Sequence, residues 1–78
     1  KSLSISRYPI DPIYVGDTLT FVAVNTCFDI YTYQWRVNER IQIGVITNTF
    51  TTASLNDGDE VYCKLGNFSS NKMIIHYS

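Results

Sequence analysis

The chain has 78 residues, a formal net charge of −1 and a hydrophobic content of 45%. These totals predict one globular domain of residues 1–78 and exclude a disordered segment, because apolar side chains are numerous enough to form a core. Basic residues are scattered along the chain, so we expect neither nucleic acid nor an anionic membrane surface as a partner. No apolar run approaches the roughly 20 residues that cross a bilayer, so no membrane insertion is expected. Residues 1–7 have no signal-peptide pattern, and an export signal is expected outside this chain.

Alternating or β-branched residues predict six strands and one short extended piece, whereas no segment holds the apolar spacing of a helix. In chain order these elements are residues 2–6, 18–24, 32–38, the short piece 41–44, 47–53, 60–65 and 72–77. Pro9 and Pro12 are expected to stop the first strand, which suits an edge position. Turn residues recur at roughly 8–12-residue intervals, which is typical of a β-sandwich. The predicted fold class is an all-β antiparallel sandwich of about seven strands.

The strand at residues 32–38 predicts the position of the core. Tyr33, Trp35 and Val37 alternate with polar residues, and Trp35 is the single tryptophan of the chain. The largest apolar side chain in the middle of a half-buried strand is expected to lie at the centre of the core. The same alternation in the neighbouring predicted strands completes the predicted core. It consists of Trp35, Tyr33, Phe21, Ala23, Val61, Cys63 and Leu65.

Four segments occur in an order that resembles a known family. They are residues 16–23 (Gly-Asp-Thr-Leu-Thr-Phe-x-Ala), 33–38 (Tyr-Gln-Trp-x-Val-Asn), 49–51 (Thr-Phe-Thr) and 55–63 (Leu-Asn-Asp-Gly-Asp-x-Val-x-Cys). This set resembles the PKD-like and immunoglobulin-like modules that are repeated in secreted and surface proteins of Bacteroidetes-type bacteria. The resemblance covers most of the chain, from about Gly16 onward. It implies an immunoglobulin-like (PKD-like) β-sandwich, extracellular or at the cell surface, which acts without catalysis within a larger multi-module protein.

The chain departs from that family at two points. Asn38-Glu39 stands where such modules usually have Asn-Gly, and the segment after Cys63 carries Phe68 and no second cysteine. The resemblance also implies that Ala23, twelve residues before Trp35, takes the place of the first cysteine of the immunoglobulin disulfide.

The two cysteines leave two interpretations open. Cys27 lies four residues beyond Ala23, or about 13 Å along an extended chain, whereas a disulfide needs Cα atoms within about 7 Å. A buried Cys63 thiol is therefore the favoured interpretation. A Cys27–Cys63 disulfide remains the alternative, because two cysteines in a small exported domain usually pair.

The chain offers little that predicts catalysis. The single histidine, His76, belongs to the outward set of the last strand, whereas Cys63 is expected to face the core, so they should not form a Cys–His pair. No zinc-ligand spacing and no phosphate-binding loop occur. Asp57-Gly58-Asp59 is interpreted as a turn in preference to a calcium site. We therefore expect no enzyme activity, no catalytic or metal-binding residue and no cofactor.

A binding patch is predicted at one end of the sandwich. The connection of residues 25–31 and the loop of residues 66–71 should emerge together there. They carry four apolar side chains: Phe28, Ile30, Tyr31 and Phe68. Apolar residues clustered in loops mark contact sites. The alternative is that these side chains cap the core or pack against a neighbouring module.

The leading functional hypothesis is a non-catalytic structural or adhesive module of an extracellular bacterial surface protein. Its expected partners are neighbouring modules of the same protein, a surface protein or a glycan. One alternative is a carbohydrate-binding accessory domain of a secreted hydrolase, with Phe28, Tyr31 and Phe68 as the sugar platform. The other is a filament subunit that assembles by strand addition at an edge supplied by Leu3 and Ile5.

Overall fold

A computed structural model describes residues 2–26 and 32–78, and within them every regular element is a β-strand. The eight strands are β1 (Ser2–Tyr8), β2 (Leu19–Thr26), β3 (Gln34–Val37), β4 (Arg40–Ile41), β5 (Thr49–Thr52), β6 (Glu60–Leu65), β7 (Phe68–Ser69) and β8 (Met73–Ile74). All of their pairings are antiparallel. The prediction of an all-β fold of antiparallel strands is confirmed.

The first sheet has the strand order β1-β2-β5. β1 pairs with β2 along its whole length, from the Ser2–Thr26 pair to the Tyr8–Thr20 pair. β1 is two residues longer than expected and ends directly before Pro9, which has no N–H to offer the ladder. Tyr8, at the end of β1, and Tyr14, beyond it, both have side chains that are more than half exposed.

The second sheet has the order β4-β3-β6-β7, and β8 also pairs with β6. Residues 66–71 were predicted as a loop, and this is wrong because they contain β7. Likewise, the last strand is much shorter than the predicted 72–77. On β6, Lys64 pairs with Ser69 of β7 and Val61 pairs with Met73 of β8. These two pairs are three positions apart on β6 and four positions apart on the β7–β8 side, which therefore has one extra residue. This β-bulge is what interrupts the last strand.

The core lies where the two sheets meet. All seven residues of the predicted core are buried, and they belong to one apolar cluster that also contains Ile5, Ile13, Leu19, Phe50 and Ile75. Trp35 joins the sheets, because its ring centroid lies 6.4 Å from that of Phe21 and 5.7 Å from that of Phe50. Its Nε1 donates a 2.8 Å hydrogen bond to the carbonyl of Thr47. The indole is therefore fixed by packing and by a polar contact.

Two of the buried side chains that the alternation did not predict are Tyr62 and Arg7. Tyr62 points away from the core, as expected, yet it is only 6% exposed because Lys72 lies over its ring, 5.2 Å from the centroid. Arg7 shares the inward face of β1 with Ile5. Its guanidinium donates to a carboxylate oxygen of Asp11 at 2.6 Å and to the carbonyl of Pro9 at 3.1 Å. The burial of each side chain therefore depends on residues outside its own strand, which is β6 for Tyr62 and β1 for Arg7.

The β3–β4 turn explains the departure at Asn38-Glu39. Both residues have positive φ, 50° at Asn38 and 68° at Glu39, as a two-residue type I′ hairpin requires. Asparagine adopts this left-handed conformation readily, and glycine is the residue preferred next to it. The chain therefore forms the hairpin that Asn-Gly would form, with a strained glutamate in place of the glycine.

Replacing Glu39 with glycine is expected to stabilise the protein by about 1 kcal/mol, because glycine adopts positive φ without the steric cost of a Cβ atom. Chemical denaturation of the wild-type and E39G proteins measures this difference. Glu39→Ala is the matched control, because it removes the same charge and keeps the Cβ atom. Equal stabilities of the glycine and alanine variants would show that this turn stores no strain.

Candidate binding surfaces

The predicted patch lies largely outside the part of the chain that the structure describes. This applies to Phe28, Ile30 and Tyr31, and also to Cys27. Phe68 is described, and it lies on β7, paired with Leu65 across a two-residue turn that begins at Gly66 with a φ of 62°. Its side chain is 46% exposed at the end of the second sheet. The predicted loop residue is therefore part of a hairpin, which fixes its position against β6.

An apolar groove lies beside the β3–β4 hairpin and encloses about 350 Å³. Three side chains on one wall are exposed: Ile41 by 48%, Ile43 by 94% and Ile46 by 57%. The other wall carries Gln34 and Lys64, which are cross-strand partners on the outer face of the second sheet. We call this feature the isoleucine groove. Exposed apolar side chains bordered by polar ones are typical of contact surfaces.

Two cationic side chains near the groove lie on the outer face of the second sheet. Arg36 and Lys64 lie there on adjacent strands, and neither has a carboxylate partner among the described residues. Arg36 instead donates from Nε and from its terminal nitrogen to the neutral Oε1 of Gln34. Lys72 is paired, because its Nζ lies 3.2 Å from Glu60. That hydrogen bond, together with the charge of Glu60, raises the pKa of Lys72 above its ordinary value.

The outer face of the first sheet has a different character. Its outward positions hold hydroxyl-bearing and β-branched side chains and no Asp, Glu, Lys or Arg. The hydroxyls of Thr20 and Thr51 lie 3.3 Å apart across the β2–β5 pair. A charged partner therefore has far more to recognise on the second sheet than on the first.

The Asp57-Gly58-Asp59 corner is a turn held by its own carboxylates. Oδ2 of Asp59 accepts the backbone N–H of Asn56 at 2.8 Å, and Oδ1 of Asp57 accepts that of Tyr77 at 2.8 Å. Asn38 Nδ2 donates to the other oxygen of Asp59. Among the described residues, no cluster of three His, Cys, Asp or Glu side chains could hold a metal ion. These carboxylates serve the backbone, as the turn interpretation expects.

Cys63 and His76 are separated by burial. Cys63 is a fully buried free cysteine, whereas His76 is exposed. Loss of water around the thiol raises the pKa of Cys63 from 9.0 to about 11, partly opposed by a hydrogen bond with Ser70. The thiol is therefore neutral at physiological pH, and a neutral thiol is a poor nucleophile. Cys27, its alternative disulfide partner, lies outside the described residues.

Comparisons with family models, with curated proteins and with solved structures find no match to this chain. Within residues 2–26 and 32–78, no helix is long and apolar enough to cross a membrane. The functional argument therefore depends on the geometry of the chain itself.

The isoleucine groove is the surface that the sequence did not predict. Its residues were interpreted only as a short apolar piece, 41–44, because apolar residues in a strand are ordinarily expected inside. A signal for an exposed apolar surface was present in residues 41–46, Ile-Gln-Ile-Gly-Val-Ile. The two-residue edge strand at this position cannot bury all four apolar side chains of that run.

Proposed function

We propose that this chain is a non-catalytic structural module of an extracellular bacterial surface protein, with an immunoglobulin-like sandwich fold. In this role it holds neighbouring modules in line and makes protein contacts along its sides. The observation that carries the proposal is that Ser2 and Ser78 lie at opposite ends of the sheets. Modules strung along one polypeptide need this geometry.

The placement of these two residues follows from the strand pairing. β1 begins at Ser2, beside Thr26 at the far end of β2, and runs to Tyr8 at the opposite end. The segment after β8 reaches that same opposite end, where the N–H of Ser78 donates to the carbonyl of Ile13 at 2.8 Å. Neighbouring side chains there are exposed, Ile10 by 73% and Val15 by 81%, and they offer an apolar contact to a following module.

The sheet order supports an immunoglobulin-like arrangement. β1, β2 and β5 correspond to strands A, B and E of that fold, and β3, β4 and β6 to C, C′ and F. β7 and β8 together take the place of strand G, divided by the bulge. This correspondence favours the structural role, since the fold serves in many cell-surface proteins as a scaffold for contacts.

One contact favours this role over assembly by strand addition at β1. Asn71, in the bulge between β7 and β8, accepts the N–H of Ile5 on Oδ1 at 2.8 Å. Its Nδ2 donates to the carbonyl of Ile5 at 3.3 Å. The amide thus occupies both backbone groups with which Ile5 would bind an added strand. Blocking an edge in this way is how β-proteins prevent unwanted pairing.

Replacing Asn71 with alanine is expected to lower the free energy of unfolding by about 1–3 kcal/mol, because the partly buried backbone groups of Ile5 lose both partners. Hydrogen exchange at the Ile5 amide should accelerate, and sedimentation should show more self-association. Asn67→Ala, in the exposed β6–β7 turn, is the control. Unchanged exchange at Ile5 in the N71A protein would contradict the assigned role of Asn71.

The proposed function is tested with a protein that contains two copies of the chain in tandem, compared with a single copy by small-angle X-ray scattering. The molecule measures 37 × 22 × 16 Å. Modules in line should lengthen the maximum dimension by about 37 Å, the longest of these dimensions. Side-by-side packing would add less than about 22 Å, the second of these dimensions, and would overturn the proposal.

A further inference from the structure

We propose that the isoleucine groove binds an extended, acidic segment of a partner protein. This inference rests on the proposed role as a contact-making module and names the chemistry of one partner. It concerns the side of the module, whereas the in-line arrangement concerns its ends, so the two are tested separately.

The groove supplies apolar contacts for such a segment. Ile43 is 94% exposed, which is the highest value among the large apolar side chains of the described residues. Ile41 and Ile46 extend the apolar surface along the same wall. An extended segment that alternates apolar and polar residues would place every second side chain against this wall. Burial of these isoleucines would provide most of the binding free energy.

Charge selects an acidic segment. Lys64 lies on the opposite wall of the groove, and Arg36 is cross-strand to Ile41 on the same outer face. Neither cation is neutralised by a described carboxylate. Side chains of Glu or Asp on a segment that lies in the groove would come near Lys64, and Arg36 adds positive charge on the same face. Such complementary charges favour an acidic partner over a neutral or basic one.

The lining favours a polypeptide over an acidic glycan. Protein sites bind sugars mainly through exposed aromatic side chains, whose rings offer an apolar surface next to a polar group. The one aromatic side chain that the structure describes in the groove is Tyr33, which is only 7% exposed. Exposed isoleucines match the apolar side chains of a peptide instead.

The test uses ¹⁵N-labelled protein titrated with a capped peptide of about nine residues, roughly 30 Å when extended, that alternates valine and glutamate. We expect saturable amide shifts at Ile41, Ile43 and Lys64, with a dissociation constant of about 1 mM or tighter. Peptides that alternate valine with lysine, or serine with glutamate, should bind at least about fivefold more weakly. Raising the salt concentration should weaken binding of the valine–glutamate peptide.

Matched variants locate the site. Ile43→Ser should weaken binding by about tenfold, whereas Val15→Ser, at another strongly exposed apolar position at one end, should leave it unchanged. Lys64→Gln should weaken it by about threefold. Ser4→Glu, which changes the net charge by the same amount on the other sheet, should not.

Four results would overturn the inference. They are equal binding of the lysine peptide, saturable binding of heparin at the groove in preference to any peptide, shifts confined to another surface, and the absence of shifts with every peptide. The in-line proposal would survive each of them, because scattering from the tandem protein does not depend on the groove.

Discussion

The Trp35→Ala variant is expected to lose a large part of the stability of the folded protein. Truncation of a buried tryptophan costs about 3–5 kcal/mol, and a chain of this length has a total stability of roughly 4–12 kcal/mol. Trp35 is fully buried, and its ring contacts Phe21 and Phe50, one on each neighbouring strand of the first sheet. The alanine variant therefore loses the contact that joins the two sheets.

Thermal and chemical denaturation followed by circular dichroism measure this loss. Trp35→Phe is a milder change, because it keeps an aromatic ring in the core while removing the Nε1 bond to Thr47 and part of the ring volume. It should cost about 1–3 kcal/mol. Val15→Ala, at an exposed site, should change little. A Trp35→Ala protein that melts within a few degrees of the wild type would contradict the central place given to this residue.

The position of Trp35 was predictable because strand alternation is local. A period of two along residues 32–38 requires only that one side of the strand faces a core. The same reasoning places Phe21 and Val61 inside, and both are fully buried. Apolar patterning thus predicted which side chains form the core without knowledge of the sheet order.

Contacts between distant segments were not predictable in this way. Asn71 and Ile5 are 66 positions apart, and nothing in the local sequence distinguishes Asn71 from the other polar residues near it. The burial of Tyr62 depends on Lys72, which the bulge of the last strand places over the ring. To predict such contacts, one must know how the residues of three strands pair with one another. A shift of one residue in that pairing would change the contacts.

The candidate site was predicted least well, for a related reason. Apolar residues were assigned to loops at one end, but of these only Phe68 falls in the described part of the chain. The isoleucine groove is formed by a segment that follows a two-residue strand. No alternation develops over so short a strand, so the sequence could not show which side chains remain exposed.

The stability of the folded protein is expected to fall by about 2–3 kcal/mol between pH 9 and pH 11 because of Cys63 alone. Burial raises the pKa of this thiol from 9.0 to about 11. The unfolded chain therefore loses the proton near pH 9, while the folded protein keeps it to about pH 11. The stabilising effect of the neutral thiol is complete below pH 9 and is lost as the pH rises through this window.

Urea denaturation at a series of pH values measures the effect, under reducing conditions and in a Cys27→Ser background, so that Cys63 is the one cysteine that titrates. Cys63→Ala in the same background is the control, because tyrosine and lysine side chains ionise equally in both proteins. The alanine variant should be less stable at pH 8, and its stability should decline less steeply above pH 9. Parallel declines in the two proteins would mean that the thiol ionises as readily in the folded protein as in the unfolded chain. The core around Cys63 would then have to admit water or a compensating cation.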